Sequence, residues 1–349
     1  MQKNNTKLMV IAGILMIAAV VAVAGCTGSN SSNNPTPTVG SATTTTTGSA
    51  SPTATASMTT VATGGSTSLT PGFTTLNIGA VPSENAAEVT AEYTPLCNYI
   101  HNVTGWTVNL YVATDYTGVV TAMASKKIDV GFFGPLSYCM ANEQAGAQAF
   151  AMGLGTNNST VYYSYTVATP AVAKALGITT PLQGQAGMNQ LKTLLDAHKG
   201  QYTYTFTDPA STSGYGIPRA AMAVAGFDPN TEFKQVGFVG SHDASLLGVI
   251  KGTADMGSVA SDTYNKYVAN GNVTGSNVYI IWKSDPIPES PAAYRGDLPQ
   301  SVKNEIQNVI LNAPPSIIEA TGASNYMATN DSAYSQVYAL ENALNNIST

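Results

Sequence analysis

Ser211, Thr212 and Ser213 stand in a row after Asp208-Pro209-Ala210, with Gly214 next and an apolar run (Ala220, Ala221, Met222, Val224, Ala225) beyond. Hydroxyls and a bare backbone ahead of an apolar run mark the start of a helix, where N–H groups lack partners and the macrodipole is positive. A compact anion can be held there, because small residues let the backbone approach it and hydroxyls fill its remaining acceptor sites. Ser and Thr are also preferred helix caps, and taken alone the stretch reads more simply as a cap. It is not a nucleotide-phosphate loop, since Gly-x-x-x-x-Gly-Lys-Ser/Thr is absent.

Other reactive types recur in similar settings. His242 lies in Gly240-Ser241-His242-Asp243 just after an apolar stretch, and the only other histidines are His101 and His198. No pair of them has metal-ligand spacing, so neither a metal nor a cofactor is expected. Ser211 or Ser213 with His242 and Asp243 would have the composition of a hydrolase triad, but no Gly-x-Ser-x-Gly elbow is present, and an Asp adjacent to the His reaches its far nitrogen poorly. A histidine that donates a hydrogen bond to an anion fits better. Tyr116 and Tyr138, each near a helix start, could close a cleft over a polar ligand or simply pack. Glu84 and Asp262 could hold a ligand amine or cap helices.

These residues need a scaffold, and the hydrophobic pattern supplies one. Apolar stretches at 76–81, 108–112, 129–133, 149–154, 161–168, 202–207, 233–239, 255–258 and 278–282 read as strands. Helical spacing fills most intervals, as at 86–103 (Val89, Tyr93, Leu96, Ile100) and 301–312, and a helical tail follows at 333–345. Strands alternating with helices predict α/β lobes built on parallel sheet. The economical arrangement has two lobes, 73–165 with 280–349 and 166–279, the chain crossing twice between them. Ligands of such sheets sit beyond the carboxyl ends of strands. The small polar segments Pro82–Glu84, Thr114–Tyr116, Gly134–Tyr138, Asp208–Gly214, Gly240–Asp243 and Ala260–Asp262 all fall there, so one interlobe cleft could gather them.

Ahead of the lobes the chain is of another kind. Lys3 and Lys7 precede an uncharged apolar run, 8–24, that ends at Ala24-Gly25-Cys26. This reads as a secretory signal with a lipobox, residues 1–26, in which Cys26 becomes the lipidated terminus; an uncleaved anchor is the alternative. Residues 27–72 are rich in Ser, Thr, Gly and Pro and too poor in apolar side chains to fold, so they read as a disordered stalk. The folded part is then held outside the cytoplasm at a membrane. Asn-x-Ser/Thr sequons at Asn102, Asn157, Asn158, Asn272, Asn330 and Asn346 permit glycosylation where the machinery exists. Cys97 and Cys139 could pair or remain free. Charged residues make up 10% of the 349, and the net charge of −6 argues against nucleic acid.

Taken in order, these segments resemble the phosphate/phosphite/phosphonate substrate-binding proteins of ABC transporters. The resemblance is carried by Gly79-Ala80-Val81-Pro82-Ser83-Glu84, Asp115-Tyr116, Asp129–Tyr138, Asp208–Pro218, Gly240–Asp243 and Gly252–Gly257. It implies a type II periplasmic-binding-protein fold with hinge strands and an interlobe ligand cleft, no enzymatic activity, and a monomer that serves a permease and its ATPase. It also implies that Ser211, Thr212, Ser213 and His242 hold phosphorus oxygens, faced by Tyr116 and Tyr138. Carboxylates such as Asp262 and Glu84 would hold an amine if the ligand has one. Binding of another small oxyanion, and a secreted Ser/His hydrolase, are the competing functions.

Overall fold

A computed structural model describes residues 57–60 and 72–347, with side chains from residue 72 onward. The signal segment and Cys26, and most of the stalk, lie outside the described residues. Strand Thr75–Ala80 pairs in parallel with Thr107–Val112 on one side and Val130–Phe132 on the other, in the register Ile78 opposite Leu110 and Val130. These strands form a seven-stranded sheet with Pro291–Tyr294, Gln148–Leu154 and Asn325–Ala328 beyond Val130–Phe132. Alternation decides the faces: in Thr107–Val112, Val108, Leu110 and Val112 are buried and the residues between are half-buried. One face packs against helix Ala86–Thr104 and helix Gln300–Leu311 through Leu96, Ile100, Val302 and Ile306. The other is covered by helices Tyr116–Ala124 and Pro135–Ala145 through Val119, Val120, Met123 and Cys139.

The second lobe is a six-stranded sheet in the order 235–238, 203–206, 256–260, 164–168, 279–283, 182–183. Strand Thr203–Phe206 runs parallel to both its neighbours. Ser164–Ala168 runs antiparallel between Met256–Ala260 and Tyr279–Lys283. The sheets are therefore mixed where alternation of strands and helices predicts parallel ones. Of the antiparallel members, Ser164–Ala168 and Pro291–Tyr294 are the strands next to the two crossings, entered from the opposite lobe rather than through a covering helix, while Asn325–Ala328 pairs antiparallel with Gln148–Leu154 at the sheet edge.

The crossings themselves form a small ribbon. Val161–Tyr162 pairs antiparallel with Ile287–Pro288, apart from either large sheet. The expected single strand at 161–168 is thus two pieces, and Tyr279–Lys283 belongs to the second sheet, so the return to the first lobe falls a few residues later than 280. Within the expected stalk, Ser57–Thr60 forms a strand antiparallel to Thr107–Val112. The outer edge of Thr107–Val112 exposes unpaired backbone groups, and a Thr-rich segment of high β-propensity can satisfy them. Strands Pro291–Tyr294 and Asn325–Ala328 give weak sequence signals, the first because of its proline and alanines and the second because only Tyr326 of its residues is buried. All described residues fall in one compact unit. Cys97 and Cys139 are both buried and free, in separate core clusters. Among the described residues no helix is long and apolar enough to cross a membrane.

Candidate functional site

The hydroxyl triplet follows strand Thr203–Phe206, and the backbone there is shaped by three residues. Asp208 Oδ1 accepts from Ala210 N–H at 2.7 Å and turns the chain. Ser211 Oγ accepts from Gly214 N–H at 3.1 Å, so the cap reading is true of this residue. Pro218 has no N–H to offer the carbonyl of Gly214, which instead accepts from Thr207 N–H at 3.1 Å. The first turn, Thr212–Gly216, is a π-turn, with Gly216 N–H donating to the Ser211 carbonyl at 2.9 Å, before the α-helix Ile217–Val224 begins. Such turns are common at functional sites. Gly214 is required by close approach: a Cβ there would lie 2.1 Å from Thr207 Oγ1 and 2.3 Å from Thr207 Cβ.

Helix starts from both lobes converge on this turn. Leu136 N–H, in the first turn of Pro135–Ala145, donates to Thr212 Oγ1 at 2.7 Å. Tyr116 N–H donates to Asp208 Oδ2 at 3.3 Å, and Asp115 caps the same helix through Gly118 N–H. Ser211, Thr212 and Ser213 are each no more than 2% exposed. Ser213 Oγ is buried without a hydrogen-bond partner of ordinary geometry. The Tyr162 phenol is nevertheless near enough to Ser213 and Thr212 that they offset part of the burial that pushes it up. The Tyr116 hydroxyl is similarly held by Ser211 while burial drives it well above its ordinary range. Both phenols are therefore neutral donors.

His242 completes this end of the cleft. Its backbone N–H donates to the Ser83 carbonyl of the other lobe at 2.9 Å. Its Nδ1 accepts the Ala260 backbone N–H at 3.1 Å, so a neutral ring carries its hydrogen on Nε2, which lies 3.4 Å from Ser211 Oγ. Burial lowers the imidazole to about 4, so the ring is neutral. An uncharged Nε2–H donor is the opposite of what a general base toward Ser211 requires. Asp243 does not reach the ring and is paired with Ser241 Oγ.

These groups line a cavity of about 460 Å³ that also receives Glu84, Asp262 and Glu289. Glu289, in the second crossing, is buried, and its Oε1 has no hydrogen-bond partner. Burial first, and Asp262 second, push it up to about 8. Asp262, in the first turn of Ser261–Ala269, is open to the cleft yet crowded by protein, and burial raises it too. Gly155 gives Glu289 its place, because a Cβ at that position would stand 2.6 Å from Oε1. Two carboxylates facing each other across a cavity are suited to a cation. Glu84 differs. It accepts from Thr263 Oγ1 at 3.2 Å and lies 3.5 Å from Lys266 Nζ, with burial raising it to about 7. Lys266 also meets Glu88 at 2.5 Å and Glu92 at 3.0 Å, clasping helix Ala86–Thr104 to the other lobe. Carboxylate oxygens of Glu84, Glu88 and Asp243 come within 4.8 Å of one another, but Lys266 already supplies the countercharge.

Of the residues singled out in the sequence, Ser211, Thr212, Ser213, His242, Tyr116, Asp262 and Glu84 line one cavity and Tyr138 does not. Tyr138 is a full turn into its helix and points to the core. It donates to Asp331 Oδ1, accepts Ala149 N–H at 3.2 Å, and packs edge-on to Tyr334 at 5.0 Å. Its place opposite the hydroxyl triplet is taken by Tyr162. Tyr162 and Glu289 escape a reading by strand ends because they lie on the crossing segments. The available signal was position: residues that cross between lobes must floor the cleft.

Residues 78–334 match the profile of the family described as "ABC transporter, phosphonate, periplasmic substrate-binding protein". The chain is 25% identical over 261 residues to the phosphonates-binding periplasmic protein of Escherichia coli, covering 73% of this chain and 72% of that one. It is 27% identical over 245 residues to the phosphate-import protein PhnD of Mycolicibacterium smegmatis, covering 67% and 70%. Among solved structures, PhnD1 from Prochlorococcus marinus in complex with methylphosphonate superposes with a TM-score of 0.66 at 22% identity, over 78% of this chain and 98% of that one. A binding-protein component of a Pseudomonas aeruginosa ABC phosphonate transporter does so with the same TM-score and identity, over 77% and 85%.

Proposed function

The chain belongs to the phosphonate periplasmic substrate-binding protein family of ABC transporters, and from that premise we propose that it captures a phosphonate bearing a cationic substituent and delivers it to a permease. The phosphonate group would rest on the π-turn, taking hydrogen bonds from Ser211, Thr212, Ser213, Tyr116, Tyr162 and His242 Nε2–H. The supporting observation is that every one of these donors is neutral and preorganised, in a buried pocket where helix starts from both lobes meet. Hydroxyls can also accept, so the pocket suits an oxyanion in more than one protonation state.

The cationic group would lie between Asp262 and Glu289, which favour such a ligand over phosphate or phosphite because Glu289 Oε1 is buried with nothing to bond. A bare phosphate or phosphite would leave that oxygen unsatisfied, at about 1–3 kcal/mol. Closure of the lobes on the ligand needs no covalent step, and the donor role of His242 speaks against the hydrolase reading. The protein would act as a monomer, held to the outer face of the membrane through lipid on Cys26. Loss of lipid labelling in Cys26→Ala tests the anchor. Titration calorimetry with phosphate, phosphite, methylphosphonate and 2-aminoethylphosphonate tests the ligand. 2-Aminoethylphosphonate should bind tightest, and a preference for phosphate or for sulfate would overturn this reading.

A further inference from the structure

The π-turn and the Asp262–Glu289 pair occupy only part of the cavity. At about 30 Å³ per water, 460 Å³ corresponds to roughly 15 waters, well beyond the few heavy atoms of methylphosphonate or 2-aminoethylphosphonate. Next to Glu289 the wall changes character. Phe132, Tyr326 and Tyr93 line this side, with ring centroids 4.6 Å apart for Tyr93–Phe132 and 6.3 Å for Phe132–Tyr326. The Tyr326 hydroxyl is already bonded to Thr321 Oγ1 at 2.9 Å, so what this residue has left to offer is its apolar ring. Gly153 and Ala323 complete the wall. A Cβ on Gly153 would come within 3.4 Å of both Ala323 Cβ and Tyr326 Cε1, so the missing side chain keeps the space open.

Resting on the phosphonate reading above, we propose that this apolar compartment is a second subsite, and that the preferred ligand is an aminoalkyl phosphonate carrying several further carbons on its nitrogen. The anion is fixed at the π-turn and the ammonium lies between Asp262 and Glu289. The carbon chain then continues past Gly153 onto Phe132, Tyr93 and Tyr326. Burial of apolar carbon strengthens binding by about fourfold per methylene.

Calorimetric titration of the ligand-free protein with methylphosphonate, 2-aminoethylphosphonate and N-butyl-2-aminoethylphosphonate tests this. The N-butyl compound should bind at least about tenfold more tightly than its parent. Ala323→Leu should fill the subsite and remove that gain while methylphosphonate binding stays within about threefold; Ala323→Val serves if circular dichroism shows the leucine variant misfolded. If the N-butyl compound binds no better than its parent, or the gain persists in the filled variants, the subsite is refuted while the phosphonate reading stands. If none of the three phosphonates binds, both fall together.

Discussion

Replacing His242 by Phe removes both ring nitrogens and keeps the ring's shape. Two separable effects follow from the geometry. The ligand loses the Nε2–H donor, and a hydrogen bond to a charged partner is worth about 1.5–3 kcal/mol, so affinity for methylphosphonate should fall by roughly 10- to 150-fold. The fold loses the acceptor of Ala260 N–H, at about 1–3 kcal/mol for a buried unsatisfied group. The pH dependence isolates the second effect. His242 is lowered from 6.5 to about 4, so its neutral form stabilises the fold above pH 6.5, and that stability is lost as pH falls through the window from 6.5 to 4. At about 1.4 kcal/mol for each tenfold rise in proton concentration across that window, the full loss is of order 3 kcal/mol. Glu84 and Glu289, raised to about 7 and about 8, contribute with the opposite sign: their stability is present at acid pH and fades as pH rises toward those values. The difference between wild type and His242→Phe in urea unfolding, measured from about pH 7 to pH 4, therefore reports the histidine. Wild type should lose more stability than the variant over that span. His242→Gln, which restores an N–H donor, should recover part of the affinity. Methylphosphonate affinity within about threefold of wild type in His242→Phe, or equal acid slopes, would refute the assigned tautomer and donor role.

Other outcomes follow from the same site. With Glu289 raised to about 8, the preference for 2-aminoethylphosphonate over methylphosphonate should grow as pH rises toward that value, and Glu289→Gln should flatten the profile; calorimetry in matched buffers measures both. Tyr162→Phe should weaken methylphosphonate binding by about 5- to 10-fold. Tyr138→Phe should leave binding intact and lower stability by about 1–2 kcal/mol, because Asp331 loses a buried donor, as chemical denaturation would show. Lys266→Ala should release the clasp on Glu84, Glu88 and Glu92 and speed ligand dissociation a few-fold in stopped flow. That difference should shrink near 0.5 M salt, where exposed pairs are screened within roughly 5 Å.

Much of the molecule follows from local chemistry that a sequence carries. The alternation Val108, Leu110, Val112 fixes which face of its strand is buried, and Asn85, Asp115 and Ser241 cap the helices that follow them. The hydroxyl triplet at 211–213, His242 and Tyr116 were legible because small polar strand ends in an α/β chain have one place to go. The Ser211 cap and the Gly216 N–H bond to the Ser211 carbonyl that make the π-turn are local as well. What the sequence left open depends on residues far apart in the chain. Tyr138 and Tyr162 are alike as letters, and only the packing of Asp331 and Ala149 against the first and of Thr212 and Ser213 against the second separates their roles. Glu289 can reach the cavity only because Gly155, just past strand Gln148–Leu154, leaves space beside its carboxylate. Ala260, on a neighbouring strand of the second sheet, chooses the hydrogen-bearing nitrogen of His242. Periodicity and capping act over a few residues and survive in sequence, whereas burial, tautomer and partner are set by through-space neighbours that only the closed fold supplies.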